Sequence, residues 1–164
     1  EQTDIGRMVG IGALKYADLS TDRIKDYVFD WDRMLSFEGN TAPYLQYAHA
    51  RIKSILRRAG QSEPAHGSAP ALVPPTLVIE ERELILQLLR FDSAVHDTLE
   101  KYSPHRLANY LFELAQSFTA FYEACPVLKA ESQTRTFRIL LCEQTARVLA
   151  KGLDLLGIEA PERM

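Results

Sequence analysis

The sequence predicts an all-α helical bundle, and three observations carry that prediction. Apolar residues recur at three- and four-residue steps through most of the chain, the signature of amphipathic helices. Prolines mark the borders of these periodic segments, as they do where helices start and stop. No segment alternates apolar and polar residues for long enough to make a convincing strand.

The elements follow in order. The opening run, to about residue 20, is helix-compatible, although Gly6, Gly10 and Gly12 each cost about 1 kcal/mol against alanine in a helix. Glycines kept there imply close packing against a neighbour. Residues 22–30 read as irregular, and Asp30 or Asp32 caps a short helix through Phe37. Thr41 as N-cap and Pro43 in the first turn open a helix that Gly60 closes, with Leu45, Ala48, Ile52, Ile55, Leu56 and Ala59 as its apolar stripe. Residues 61–76 hold four prolines with Gly67 and Ser68, and read as a loop. Helical spacing resumes over 79–101 through Leu84, Ile85, Leu88, Leu89, Val95 and Leu99, with a bend near Phe91–Asp92. Ser103 followed by Pro104 starts the next helix, which runs to about Glu123 before Pro126. Ser132 or Thr134 opens the last, which Gly157 closes, leaving a short tail from Ile158 to Met164.

Composition places the chain among ordinary globular proteins. Its 164 residues are 46% apolar and 25% charged, which excludes wholesale disorder. No apolar run approaches the roughly 20 residues of a membrane helix, and no signal peptide is visible. Cys125 and Cys142 lack metal-type spacing and suit a reducing, cytoplasmic setting. The chain begins without an initiator methionine inside a helical pattern, as a piece of something longer would. Net charge is −3, but it is uneven: Arg51, Lys53, Arg57 and Arg58 stand together against one acid between residues 41 and 79. A local footprint for an acidic partner is therefore available, and a global one is not.

The sequence offers little for catalysis. Gly10-Ile11-Gly12 with Lys15 lacks both the spacing and the preceding strand of a phosphate loop, and reads as packed small residues. Glu63 and His66 form a single E-x-x-H in the proline-rich segment, where a di-iron bundle needs two such pairs on facing helices. His49, His96 and His105 are isolated and read as surface or helix-end residues. No G-x-S-x-G is present, and neither cysteine has a neighbouring base. Catalytic and metal residues are therefore expected to be none. Tyr44, Tyr47, Tyr110 and Tyr122 allow two readings: packing with the hydroxyl at the rim, or platforms that stack unpaired bases beside arginines.

Four stretches carry a resemblance: GALKYADLS (12–20), FDWDRMLSFEGNTAPYLQYAHAR (29–51), ANYLFELAQSFTAFYEACPVL (108–128) and GLDLLGIEAPERM (152–164). In this order they resemble the C-terminal part of the arginyl-tRNA synthetases. The resemblance implies a helical bundle of the class I aminoacyl-tRNA synthetase anticodon-binding type, named after a D-A-L-R tetrapeptide that does not occur literally here. It implies two regions: residues 1–39 closing the catalytic region and packing near the tRNA stem, and residues 40–164 forming the anticodon-binding domain. The full enzyme would be an ATP- and magnesium-dependent, cytoplasmic, monomeric arginine–tRNA ligase whose partner is arginine tRNA, neither DNA nor a membrane. No H-I-G-H or K-M-S-K-S pattern lies in this chain, so the piece should bind without catalysing and needs no cofactor itself.

The resemblance also implies the site. The family reads the central cytosine of the anticodon in a pocket whose matching positions are Tyr44, Tyr122 and the terminal Met164, with Arg51 as a further candidate. A splayed cytosine offers a π face and an amine donor, so aromatic rings and a main-chain or terminal acceptor answer it. Lys53, Arg57 and Arg58, with Arg51, are expected to contact phosphates, unless they pair with the acidic segment 80–101. A helical protein–protein interaction module, docking through that segment or through residues 1–40, is the alternative.

Overall fold

Helix α6, Pro104–Ala124, is the element around which the others pack in the computed structural model, which describes residues 2–62 and 76–164. The described residues form seven helices and no strand: α1 Gln2–Leu19, α2 Trp31–Met34, α3 Ala42–Ser62, α4 Ile79–Leu89, α5 Phe91–Lys101, α6, and α7 Ser132–Leu155. Helix α6 packs on α4, α5 and α7 and, at one end, on α1 and α3, while α3 is sandwiched between α1 and α7. The fully buried side chains include Leu45 and Ile52 of α3, Leu111, Leu114 and Phe121 of α6, and Leu149 and Leu153 of α7. Each such leucine contributes roughly 1.5–3 kcal/mol by leaving water. At the crossing of α6 and α7 Gly152 faces the Leu111 side chain so closely that any Cβ would overlap it.

Local chemistry sets the ends. The Asp30 carboxylate accepts from the Arg33 amide at 3.1 Å and starts α2, which ends at Met34 and not at Phe37. The Thr41 hydroxyl accepts from the Tyr44 amide at 3.3 Å and donates to Ser36 O at 2.6 Å, capping α3 while fixing the loop before it. Helix α7 closes as a Schellman motif: Gly157 takes φ +69°, and the amides of Ile158 and Gly157 donate to Leu153 O and Asp154 O, both at 2.9 Å. The buried Ile158 then turns the chain back over the bundle.

Several expectations need correction. Helix α3 runs through Gly60 to Ser62; glycine is enriched just past a helix end but does not enforce one. The long segment 79–101 is two helices, broken at Arg90, so the stripe does not continue: Leu89 and Leu99 are 72% and 67% exposed. Of the three early glycines only Gly12 is closely packed, against Gln46 and Ile158, whereas Gly6 and Gly10 face open space. The Ser103 hydroxyl bonds back to Lys101 O and does not cap α6. Glu63, His66 and most of the proline-rich segment lie outside the described residues.

Two buried polar anchors lock the bundle. Glu81 on α4, 2% exposed, accepts from Arg138 Nε of α7 at 2.7 Å and from the Val78 amide at 3.0 Å. Arg138 also donates to Pro126 O, so one pair ties α4, α7 and the α6–α7 turn. Tyr16 of α1 is 1% exposed, and its hydroxyl reaches Ala108 O at 2.9 Å and Asn40 Oδ1 at 2.6 Å, one of which takes its proton. Helix α1 is thereby part of the same core as α3 and α6.

Candidate nucleic-acid interface

Helix α3 presents two functional faces because 3.6 residues make a turn. Tyr44, Arg51 and Arg58 stand at i, i+7 and i+14 on one of them, and His49, Lys53 and Arg57 stand at i, i+4 and i+8 roughly opposite. The core stripe of Leu45 and Ile52 lies between the two.

On the first face the aromatic residues of α6 meet α3. The Tyr44 ring packs edge-on to Phe112, with centroids 5.5 Å apart. The Arg51 guanidinium lies 4.8 Å from the Tyr122 ring centroid, and that ring runs nearly parallel to Phe118 one turn earlier on α6, 6.0 Å away. An exposed cation–π contact of this kind contributes about 0.5–1 kcal/mol. Tyr44 and Tyr122 are both half-buried against the core, and Arg51 is exposed. The remaining tyrosines differ. Tyr110 is a core residue whose hydroxyl donates to Gln87 O at 2.9 Å, and burial pushes it up to about 12. Tyr47 is exposed and meets Phe37 edge-on.

The opposite face holds the C-terminal tail. His49 Nδ1 lies 2.9 Å from Pro161 O, Arg57 Nη1 donates to Glu162 O at 3.0 Å, and Lys53 Nζ pairs with the Glu162 carboxylate at 2.8 Å. Hydrogen bonding and the charge of Lys53 hold that carboxyl below its ordinary range. Further up the tail, Lys15 donates to Gly157 O, Arg7 pairs with the Glu159 carboxylate at 3.0 Å, and Gln46 Nε2 donates to Glu159 O at 2.8 Å. Backbone carbonyls 157, 159, 161 and 162 are thus captured in turn, and the tail is a strap running from α1 across α3.

The structure therefore brings Arg51 and Tyr122 into contact and sets Tyr44 on the same face of α3. Met164 ends the strap and is 42% exposed. Lys53 and Arg57 are engaged with the tail's Glu162 and not with the acidic segment 80–101. Arg58 also makes an interaction within the chain. His49 is not a surface histidine: it is 4% exposed in mid-helix. Gln46 and His49 are the residues that sequence reasoning missed. Their partners are main-chain carbonyls more than 110 positions away, which leave no residue-type signal.

Gln46 is fully buried, and its amide nitrogen also reaches Met8 O of α1 at 3.2 Å. Two carbonyls fix the amide's orientation, because a carbonyl can only accept. The Gln46 Oε1 is left buried with no hydrogen-bond partner, which costs about 1–3 kcal/mol.

Both cysteines are buried and free, and burial pushes the thiols up, Cys142 to about 12. His96, Asp97 and Glu100 of α5 lie close together on the exposed surface, and His96 pairs with Glu100 at 3.8 Å. No described helix is long and apolar enough to cross a membrane.

The described residues thus form an all-α helical module with a half-buried aromatic face beside Arg51. The family comparison agrees: the DALR anticodon binding domain matches residues 45–164, so the chain belongs to that family. Residues 1–31 match the class I tRNA synthetase (R) catalytic domain. An arginine–tRNA ligase of Frankia casuarinae is 59% identical over 98% of this chain, which spans 26% of that protein. Among solved structures, the arginyl-tRNA synthetase of Thermus thermophilus superposes with a TM-score of 0.91 at 43% identity, over all of this chain and 28% of its own. That of Plasmodium falciparum gives 0.85 at 32% identity, over 98% and 28%. The chain thus spans about a quarter of the length of the relatives it matches.

Proposed function

We propose that this chain recognises the anticodon of arginine tRNA as the C-terminal part of an arginine–tRNA ligase, a cytoplasmic class I enzyme acting as a monomer. The observation that carries the proposal is the Arg51–Tyr122 contact on the face of α3 that also bears Tyr44. A base splayed from the anticodon loop stacks against this pair, and Tyr44 closes the side toward α6. Stacking on an aromatic side chain contributes about 1–3 kcal/mol per base. Stacking accepts any base, so discrimination needs an acceptor for the cytosine amine. We assign that acceptor to main-chain oxygen at Met164, brought to the base when RNA binds.

The cations divide by face. Arg58 continues the line of Tyr44 and Arg51 and is assigned to phosphate contact. Lys53 and Arg57 hold Glu162, and they reach phosphate only by exchanging that partner. Joining arginine to tRNA requires ATP and magnesium. These 164 residues contain no H-I-G-H or K-M-S-K-S motif to hold them. In this reading the chain contributes RNA binding, and the chemistry belongs to other residues of the full enzyme.

The test is titration with an arginine anticodon stem-loop at low salt. Binding should fall in the range of about 10⁻⁴–10⁻⁶ M and weaken steeply with added salt. Binding that ignores salt would favour protein docking through an apolar face instead.

A further inference from the structure

One side chain in the bundle touches three separate parts of the chain at once. Gln46 belongs to α3, and its single amide nitrogen donates to Met8 O of α1 and to Glu159 O of the C-terminal strap. We infer that Gln46 is a positioning residue for anticodon discrimination: it fixes the strap against α1 and α3 together and so determines where Met164 stands when RNA is bound. This rests on the recognition role proposed above.

Three observations support it. First, the amide serves the strap and not itself. Its oxygen has no hydrogen-bond partner among the described residues although the side chain is fully buried, whereas a residue kept only to fill this volume would be apolar. Second, the neighbouring backbone is shaped around it. A Cβ at Gly12 would stand 2.9 Å from Gln46 Nε2 and 3.2 Å from Ile158 Cγ2, so α1 approaches the amide and the strap as closely as glycine permits. Third, each of the other polar side-chain contacts to the strap comes from one helix only. Arg7 and Lys15 reach it from α1, and His49, Lys53 and Arg57 reach it from α3. Among these polar contacts Gln46 alone links the strap to α1 and α3 through a single side chain.

Gln46→Met keeps the length and volume but removes both donated bonds. The experiment compares it with the unaltered 164-residue chain by amide hydrogen exchange over residues 157–164. In parallel, both proteins bind two stem-loops that differ only in cytosine or uracil at the central anticodon position. Exchange in the strap should rise about tenfold or more while α6 and α7 stay protected, as local opening requires. The preference for cytosine should fall at least severalfold, with affinity for the uracil loop unchanged. Strap exchange at the unaltered level, or loss of protection spread evenly through α6 and α7, overturns the positioning role. So does a loosened strap with full discrimination. An unaltered chain that shows no base preference contradicts the recognition reading instead, and the inference then falls with its functional half whatever the exchange shows. Should Gln46→Met not fold, Lys15→Met tests the same strap from an exposed site. It must loosen residues 157–164 and reduce discrimination, or the inference fails.

Discussion

The Nδ1 of His49 lies 2.9 Å from the carbonyl oxygen of Pro161, joining the middle of α3 to the tail. A carbonyl only accepts, so this nitrogen carries the proton, and in the neutral ring Nε2 does not. Burial lowers the pKa of His49 from 6.5, assisted by Lys53 and opposed by the Pro161 carbonyl and Glu162.

A pH dependence follows, with a definite sign. The folded pKa lies below the unfolded one, so the unfolded chain binds the proton first as pH falls. Stability is therefore fully present above about 6.5 and declines as pH drops from there through the folded value. His49→Asn can keep a donor near the Nδ1 position without titrating. Urea denaturation across this window should show a steeper loss for the unaltered chain than for His49→Asn; parallel curves would contradict the assignment.

The buried pair of Glu81 and Arg138 predicts a large effect from a single change. Glu81→Ala strands a mostly buried guanidinium and should lower unfolding free energy by about 3–5 kcal/mol. Denaturant midpoints at constant slope measure this, and a loss below 1 kcal/mol would show that water replaces the carboxylate.

Two glycines predict opposite signs. Gly152→Ala drives a methyl into Leu111 and should destabilise by about 1–3 kcal/mol, unless that side chain finds another rotamer. Gly10→Ala meets nothing within 4 Å on α1 and should stabilise by about 0.5–1 kcal/mol through helix propensity. Thermal unfolding of both variants checks the contrast directly.

Tyr122→Ala separates stacking from packing. The ring is half-buried beside Phe118 and Arg51, so truncation should cost some stability. Stem-loop affinity should fall by about 1–3 kcal/mol at temperatures where the variant is fully folded. Unchanged affinity there would make Tyr122 a packing residue only.

The fold was legible because helix stripes and borders are local. The spacing of Leu107, Leu111, Leu114 and Phe118 predicts α6, and all four are buried; Thr41 caps α3 through its own hydroxyl. What failed was the inference from one residue to an end or a direction: Gly60 inside α3, Ser103 bonded backward, and Leu89 and Leu99 outward on either side of a break that no proline marks. Tyr44, Arg51 and Tyr122 are singled out by resemblance and, for the first two, by their i, i+7 spacing, and Arg51 and Tyr122 do meet in the fold. The strap was not foreseen. A glutamine and a histidine in a helix show nothing of the carbonyls they will meet, and the positive patch gave no sign that two of its cations would turn to Glu162.

The most direct measurement is the affinity of this chain for two arginine anticodon stem-loops, one with cytosine and one with uracil at the central position. Replacing the amine donor by a carbonyl should weaken binding by about 1–3 kcal/mol, roughly thirtyfold in the middle of that range. Equal affinities at the same salt concentration would contradict base recognition on the α3–α6 face.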